Sequence, residues 1–171
     1  MTSRQGRCSL TRREGQFAKC HIIPEALTRP STPGNPWFQY SGADPRPPVR
    51  RWTSWYDLRL VTTEGERILS DLDNAAVVEL RKHKLVWSGW GDASVLPTPI
   101  ALTGAVPTGV RVVEGVDGRT LRLFFLSLLW RAAATSLPEF KEVAVPPDDR
   151  RQPSRSDILQ SGVWIPVSVS L

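Results

Sequence analysis

Cysteine, histidine and long apolar runs are scarce in this sequence. Its 171 residues include two cysteines and two histidines. Two cysteines cannot form a disulfide framework, so a reduced, cytoplasmic setting is expected. No apolar run reaches the roughly 18 to 20 residues that span a bilayer, and the N-terminus shows no secretory signal. We therefore expect no membrane partner.

The sequence also lacks the short motifs that mark several large enzyme classes. It contains no Walker loop, no GxGxxG turn, no HExxH helix and no GxSxG elbow. Such motifs hold a phosphate, a dinucleotide, a zinc ion or a serine nucleophile at a fixed point of a fold. The enzyme classes built on them therefore have no support in this sequence.

Positive charge is present, and it is concentrated in the first third of the chain. Residues 1–60 carry ten Lys and Arg against four acids, whereas residues 61–171 carry twelve against thirteen. Contacts from Lys and Arg to phosphate supply most of the sequence-independent affinity for nucleic acid. Nucleic acid, with DNA favoured, is therefore the expected partner. A solvated basic surface and a protein partner are the alternatives.

The basic part of the chain begins with a predicted hairpin. Residues 8–11 and 16–20 are predicted as strands, with a tight turn at Glu14-Gly15. Pro24 predicts the start of a short helix. Residues 30–56 are rich in proline and aromatic residues. They predict a long irregular loop whose aromatic content argues against disorder.

Two longer helices are predicted further along the chain. Apolar residues at spacings of three and four predict a helix over 63–84, with acids in its first turn and basic residues in its last. Residues 92–110 predict a connecting loop and residues 110–113 a strand. A second helix, over 119–135, is apolar nearly all round and is expected to be buried. Residues 163–171 predict a final strand.

Two motifs carry a family resemblance. Cys20-His21-Ile22-Ile23-Pro24 follows the predicted hairpin, and Leu60-Val61-Thr62-Thr63-Glu64-Gly65-Glu66 leads into the first long helix. Together they resemble the HNH nuclease family, which has a ββα-metal fold, and in particular its zinc-knuckle members. Cys8 stands at the first knuckle cysteine, and the other three knuckle positions hold Thr11, Thr62 and Gly65. Because a structural zinc site needs four S or N ligands, no structural zinc is expected.

The resemblance implies a mechanism and a set of site residues. In the family, a histidine deprotonates water while one divalent ion stabilises the charge on the phosphate and the leaving oxygen. Carried over, His21 is the general base, and Cys20 and Glu66 take positions of metal ligands. Magnesium prefers oxygen ligands. Two identities of the ion therefore remain possible. One is a softer ion such as Zn, Ni or Mn, and the other is Mg held by Glu66 and waters. Asp73 is expected in an outer position.

The expected nucleic-acid contacts are the basic residues near the hairpin and the loop: Arg7, Arg12, Arg13, Lys19, Arg50 and Arg51. The segment Trp52-Thr53-Ser54-Trp55-Tyr56 adds aromatic rings, a combination that suits single-stranded or distorted nucleic acid. Packing of this segment on the protein's own core is the alternative. For His21 the alternative is a structural histidine that hydrogen-bonds the backbone. For Cys8 and Cys20 it is a disulfide across the hairpin.

These observations predict an α+β single domain. Residues 1–84 form an HNH-like β-hairpin plus helix unit (ββα-metal) that includes the loop 30–56. Residues 85–171 form an extension on the same core, with a buried C-terminal helix and a final strand. The predicted function is a divergent HNH-type metal-dependent nuclease or a nuclease-derived DNA-binding protein. The alternative is a catalytically inactive HNH-fold scaffold that binds protein or nucleic acid.

Overall fold

The computed structural model describes residues 4–28, 34–40, 47–86, 101–103, 108–110 and 112–145. Within these ranges the protein is α+β, with short strands that pair two by two and two longer helices. The strand predicted over 163–171 lies outside the described residues.

The first hairpin is present, but its turn lies elsewhere than predicted. β1 (Gln5–Arg7) pairs antiparallel with β2 (Glu14–Gln16), and residues 8–13 form the connection. Arg12 in this connection has a φ of +60°, the left-handed conformation that a tight loop requires. The predicted turn at Glu14-Gly15 is therefore wrong, because both residues lie within a strand.

Close packing explains the glycines of this hairpin. Gly6 and Gly15 are register partners. A Cβ at Gly6 would lie 2.5 Å from a ring carbon of Phe17, and one at Gly15 would lie 3.2 Å from the methyl carbon of Thr62. Glycine in a strand often marks such a close approach. Gly15 therefore leaves space for Thr62, the residue before the first long helix, and does not form a turn.

The histidine lies in a second strand pair. β3 (Cys20–His21) pairs antiparallel with β6 (Tyr56–Asp57), so that His21 lies opposite Tyr56. Pro24 precedes a 3-10 helix, Glu25–Leu27, at the place where the sequence predicts a short helix.

The segment predicted as an irregular loop contains a β-ribbon. β4 (Trp37–Gln39) pairs antiparallel with β5 (Val49–Arg51). The ring of Trp37 packs against that of Trp55, with centroids 4.8 Å apart. Alternating residues therefore divide between an inner and an outer face of the ribbon. Strands of three residues are too short to show this alternation clearly in the sequence.

The first long helix agrees with the prediction. α1 spans Thr63–Lys82, with acids in its first turn and basic residues in its last. Its inner face buries an apolar stripe made of Leu69, Ala76, Val77 and Leu80. Thr62 occupies the N-cap position, but its side chain makes no capping hydrogen bond.

The second long helix is buried on one face only. α2 spans Gly118–Ala134, and the Asp117 side chain accepts hydrogen bonds from the backbone N–H groups of Arg119 and Thr120. Phe124 is fully buried, whereas its neighbour Phe125 is 53% exposed. The prediction of an all-round buried helix is therefore wrong for the described part of the chain, because α1 and the hairpin unit cover a single face.

One further strand pair lies between the two long helices in the sequence. β7 (Ala101–Thr103) pairs antiparallel with β8 (Thr108–Val110). The sequence predicts a loop over 92–110 and a strand over 110–113. β7 and β8 therefore lie inside the predicted loop, and the strand ends where it was expected to begin.

The two helices share their core with the hairpin unit. The backbone N–H of Asp117, before α2, donates to Glu79 near the end of α1 at 2.8 Å. Further along α2, Arg131 pairs with Asp73 in the middle of α1, so the helices run in opposite directions. Trp130 packs on the apolar cluster around Cys20 and Val61. Among the described helices, none combines the length and apolar character needed to cross a bilayer.

Candidate functional site

A cleft lies between β3, the 3-10 helix and α1. Its volume is about 240 Å³, and its walls include His21, Glu25, Glu66, Ser70, Asp73 and Arg81. The side chains of His21 and Glu66 thus face one space, although 45 positions separate them in the sequence. The two residues that the family resemblance pairs as base and metal ligand share this cleft.

The His21 ring lies beside a carboxylate but makes no hydrogen bond through Nε2. The Nε2 atom is buried and has no hydrogen-bond partner. The nearest carboxylate oxygen is Oε1 of Glu25, 3.4 Å from Nε2, and it accepts a hydrogen bond from Thr53 Oγ1 at 2.6 Å. The ring of Tyr56 stands edge-on at 6.1 Å. Among the described residues no backbone group bonds to the ring, so the structural alternative for His21 gains no support.

The surroundings of His21 favour the neutral imidazole. Burial lowers the pKa of His21, and the positive charge of Lys19 lowers it further. The carboxylates of Glu25 and Asp73 act in the opposite direction, and Arg131 adds to the lowering. A ring that is neutral near pH 7 is able to accept a proton.

Cys20 and Glu66 lie in contact beside the histidine. Burial raises the pKa of the Cys20 thiol far above its ordinary value, and the charge of Glu66 raises it further. The thiol therefore stays protonated, and its Sγ donates to the His21 carbonyl at 3.9 Å. Burial also raises the pKa of Glu66, against the opposing effects of Cys20 and Arg131. The Oε2 atom of Glu66 is buried with no hydrogen-bond partner.

The donor atoms of the cleft fit a hydrated ion better than a fully protein-bound one. In the part of the chain that the structure describes, no group of three or more His, Cys, Asp or Glu side chains could hold a metal ion. Two buried atoms that could bind a metal ion, His21 Nε2 and Glu66 Oε2, nevertheless lack hydrogen-bond partners. An ion such as Mg²⁺ keeps several waters and needs only one or two carboxylates. Glu66 suits that kind of binding.

The four positions that the resemblance equates with a zinc knuckle are neighbours in space. The backbone N–H of Thr11 donates to Cys8 Sγ at 3.3 Å. A Cβ at Gly65 would lie 2.7 Å from the same sulfur. Burial raises the pKa of Cys8, but hydrogen bonds from Thr11 and Thr62 outweigh it, so the pKa lies below its ordinary value. Cys8 and Cys20 are both free thiols.

A residue of α2 that is not among the predicted site residues reaches the site. The Arg131 guanidinium is 1% exposed and forms a two-bond pair with Asp73, at 2.9 and 2.6 Å. Its Nη1 also donates to the backbone carbonyl of His21 at 3.0 Å. The remaining N–H groups donate to the carbonyl and hydroxyl of Ser127. All five guanidinium donors are therefore used.

One signal in the sequence could have identified Arg131. It is the one charged residue in the apolar stretch from 123 to 134. A charge on a buried face is almost never left unpaired. An acidic partner was therefore to be expected, but no local pattern indicates that the partner is Asp73, 58 positions earlier.

The predicted nucleic-acid contacts divide into engaged and outward-facing residues. Arg13 pairs with Glu64 at 2.8 Å, and Arg7 Nε donates to the carbonyl of Arg12 at 3.0 Å. Arg51 lies over the Trp55 ring, 4.9 Å from its centroid, and pairs with Glu139. This arginine is therefore turned inward.

Lys19 and Arg50 instead stack on exposed rings. The Lys19 ammonium lies 4.4 Å from the ring centroid of Tyr56, and the Arg50 guanidinium lies 5.3 Å from that of Trp52. Both rings are among the exposed large hydrophobic side chains of the protein.

Comparison of the chain with protein-family profiles, with curated proteins and with solved structures gave no match.

Proposed function

We propose that the protein is a divergent HNH-type metal-dependent nuclease, or a DNA-binding protein derived from one, with His21 as the general base. The observation that carries the proposal is the buried, unbonded Nε2 of His21, which faces the same cleft as the unbonded Oε2 of Glu66. Buried polar atoms nearly always have partners, and exceptions often mark chemistry.

The proposed reaction is hydrolysis of a phosphodiester. His21 accepts a proton from a water molecule whose oxygen bonds to phosphorus. The bond from phosphorus to the leaving oxygen breaks, and that oxygen takes a proton from solvent. The Glu25 carboxylate, 3.4 Å from Nε2, stabilises the imidazolium that forms. The Arg131 bond to the His21 carbonyl keeps the backbone of the base in place.

Glu66 is the proposed ligand for one divalent ion, which would neutralise charge on the phosphate when bound. Cys20 stands beside it at the position of a family ligand. Because the pKa of the Cys20 thiol is raised, an ion that binds the sulfur must first displace its proton. Among Mg, Mn, Ni and Zn, a hard ion on Glu66 and waters therefore suits the cleft best.

The grouping of Cys8, Thr11, Thr62 and Gly65 also supports the proposal. The residues lie 51 to 57 positions apart across the two halves of the motif, yet Cys8 Sγ touches the Thr11 backbone and the space above Gly65. A zinc knuckle would require such proximity of its four ligand positions. Hydrogen bonds and packing occupy the place where a metal would bind.

An inactive scaffold is the second candidate. Two observations favour it: the protonated Cys20 in place of an acid, and an Asp73 whose two oxygens both bond to Arg131. Such a protein would keep the fold and its basic surface but cleave nothing.

Plasmid cleavage distinguishes these candidates. Purified full-length protein is incubated with plasmid DNA and, in turn, Mg²⁺, Mn²⁺, Ni²⁺ or Zn²⁺. We expect metal-dependent cutting that falls by about 100-fold or more in His21→Ala, the usual range for loss of a general base.

The matched control is His83→Ala. His83 is the second histidine of the chain and bonds to Glu79 at 2.9 Å, at the far end of α1. This variant should cut like the wild type. Absence of cutting with every ion, together with DNA binding that weakens steeply with salt, would leave the scaffold as the answer.

A further inference from the structure

The aromatic residues of the proline-rich segment divide into two sets. Trp37 and Trp55 pack on each other, and Trp55 joins the main apolar cluster with Phe140. Phe38, Tyr40 and Trp52 instead have 48%, 76% and 65% of their surfaces exposed. Core packing therefore accounts for only one set.

The exposed set lies on one face of the β4–β5 ribbon. Phe38 and Arg50 are register partners across the two strands. Tyr40 follows Phe38 by two positions, and Trp52 follows Arg50 by two positions. Because side chains alternate along a strand, Phe38 and Arg50 project to the side opposite Trp37 and Arg51. Trp52 stacks with Arg50 and so lies on the same side. Continuing the alternation one residue beyond β4 places Tyr40 there too. We call these four residues the outer ribbon face.

The spacing of these rings fits separated bases rather than stacked ones. Two residues of an extended strand span about 7 Å. Neighbouring bases along one strand of a duplex are only about 3.4 Å apart. A single strand can spread its bases to match rings at the wider spacing. Every base offers a π-face, so such stacking tolerates any sequence.

The charge of the outer ribbon face also suits a polyanion. The Arg50 guanidinium stacks on the Trp52 ring at 5.3 Å. Within the described part of the chain, no carboxylate pairs with Arg50. The ribbon also belongs to residues 1–60, which hold the whole positive excess of the chain. Exposed rings beside an available cation are the combination that holds single strands.

We propose that the outer ribbon face (Phe38, Tyr40, Arg50 and Trp52) binds a single-stranded segment of nucleic acid by base stacking. The proposal rests on the proposed function in that nucleic acid is the substrate, and it specifies the substrate class as single-stranded. The run Trp52–Tyr56 connects this face directly to β6, which pairs with the strand of His21. The ribbon is thus continuous in sequence with the strand pair that contains His21.

Binding is measured by fluorescence anisotropy with a labelled 12-nucleotide oligothymidylate, in EDTA and with no divalent ion. Under these conditions cleavage cannot contribute, so binding and the proposed nuclease activity can fail separately. We expect tighter binding of the single strand than of a 12-base-pair duplex. Trp52→Ala and Phe38→Ala should each weaken single-strand binding by about tenfold, the order of loss for one stacked base.

Further variants make the result specific. Trp52→Phe keeps a stacking ring and should retain most of the affinity. If Trp52→Ala fails to fold, Phe38→Ala still tests the stacking. Arg50→Gln should weaken binding and lower the salt slope by about one. Phe125→Ala removes an equally exposed ring from α2 and should bind like the wild type.

Two results would overturn the proposal. One is wild-type affinity for the oligothymidylate in folded Trp52→Ala and Phe38→Ala. The other is a wild-type dimer in analytical ultracentrifugation that Trp52→Ala converts to a monomer, because the face would then be an interface between copies of this chain.

Discussion

Cys20 is the residue at which the site differs most from what the HNH resemblance implies. An acid is the usual residue there, whereas this chain has a fully buried thiol against Glu66. A protonated thiol and a carboxylate can stay together in a dry space, because only one of the two is charged. Two carboxylates in the same place would repel each other unless a cation lay between them.

Cys20→Asp should therefore make the stability of the protein depend on a divalent ion. Without an ion, we expect a loss of about 3 to 5 kcal/mol, the usual cost of an uncompensated buried charge. Mn²⁺ or Mg²⁺ at about 100 times its dissociation constant should restore about 2.7 kcal/mol. Thermal unfolding with the ion and with EDTA measures both effects.

Cys8→Asp is the matched control, since Cys8 is equally buried but its sulfur lies against Thr11 and Gly65. It should lose stability without recovery by the ion. Equal insensitivity of the two variants to every ion would argue against a metal position beside Glu66.

At the scale of elements, the buried pair of Arg131 and Asp73 joins α2 to α1 and to β3. A buried guanidinium is costly to desolvate, and this one is tolerated because each of its five N–H groups has an acceptor. Removal of either partner would leave the other charge buried and alone. The pair is therefore more important for placing the helices than for adding net stability.

Arg131→Met should lower the free energy of unfolding by about 3 to 5 kcal/mol. Arg67→Met is the control, because the Arg67–Asp71 pair is 65% and 68% exposed and should contribute only about 0 to 1 kcal/mol. Urea unfolding of the two variants gives the comparison. Similar small losses in both would mean that α2 is held by apolar packing alone.

At the scale of the whole molecule, acid should loosen the packing of the two helices. The backbone N–H of Asp117 donates to Glu79 and, with Lys82 and His83, lowers the pKa of that carboxylate below its ordinary value of 4.5. The folded state thus holds the ionised form more strongly than the unfolded chain does. The stabilisation is present above pH 4.5 and is lost as the pH falls through the lowered pKa.

Glu79→Gln should remove this dependence on pH. Its urea midpoint should change less than that of the wild type on acidification from about pH 5 downward. Asp71→Asn, on the exposed face of α1, should keep the wild-type slope. A wild-type slope in Glu79→Gln would show that other carboxylates govern acid unfolding.

Prediction from the sequence succeeded where the signal was local and long. α1 has twenty residues with regular apolar spacing, so its bounds could be read within two residues. The predicted hairpin turn is wrong because Gly15 lies within β2, where it makes room for Thr62, a tertiary contact. Strands of three residues, such as β4 and β5, give too few alternations to recognise.

The site could be predicted only in part, because local sequence patterns do not show contacts between distant residues. The motif around His21 and the acids of α1 are visible in the sequence, and both face the cleft. The contribution of α2 is not, because Arg131 acts across 110 positions on a backbone atom of His21. A contact to a backbone carbonyl leaves no trace in the identity of the residue that offers it.

That contact also bears on how such a protein changes over evolutionary time. Every residue, proline included, carries the same backbone carbonyl. Arg131 therefore keeps its acceptor whatever side chain stands at position 21. A descendant that lost the histidine would lose the proposed chemistry but none of this attachment. The architecture can therefore outlast the activity and be recruited for binding alone.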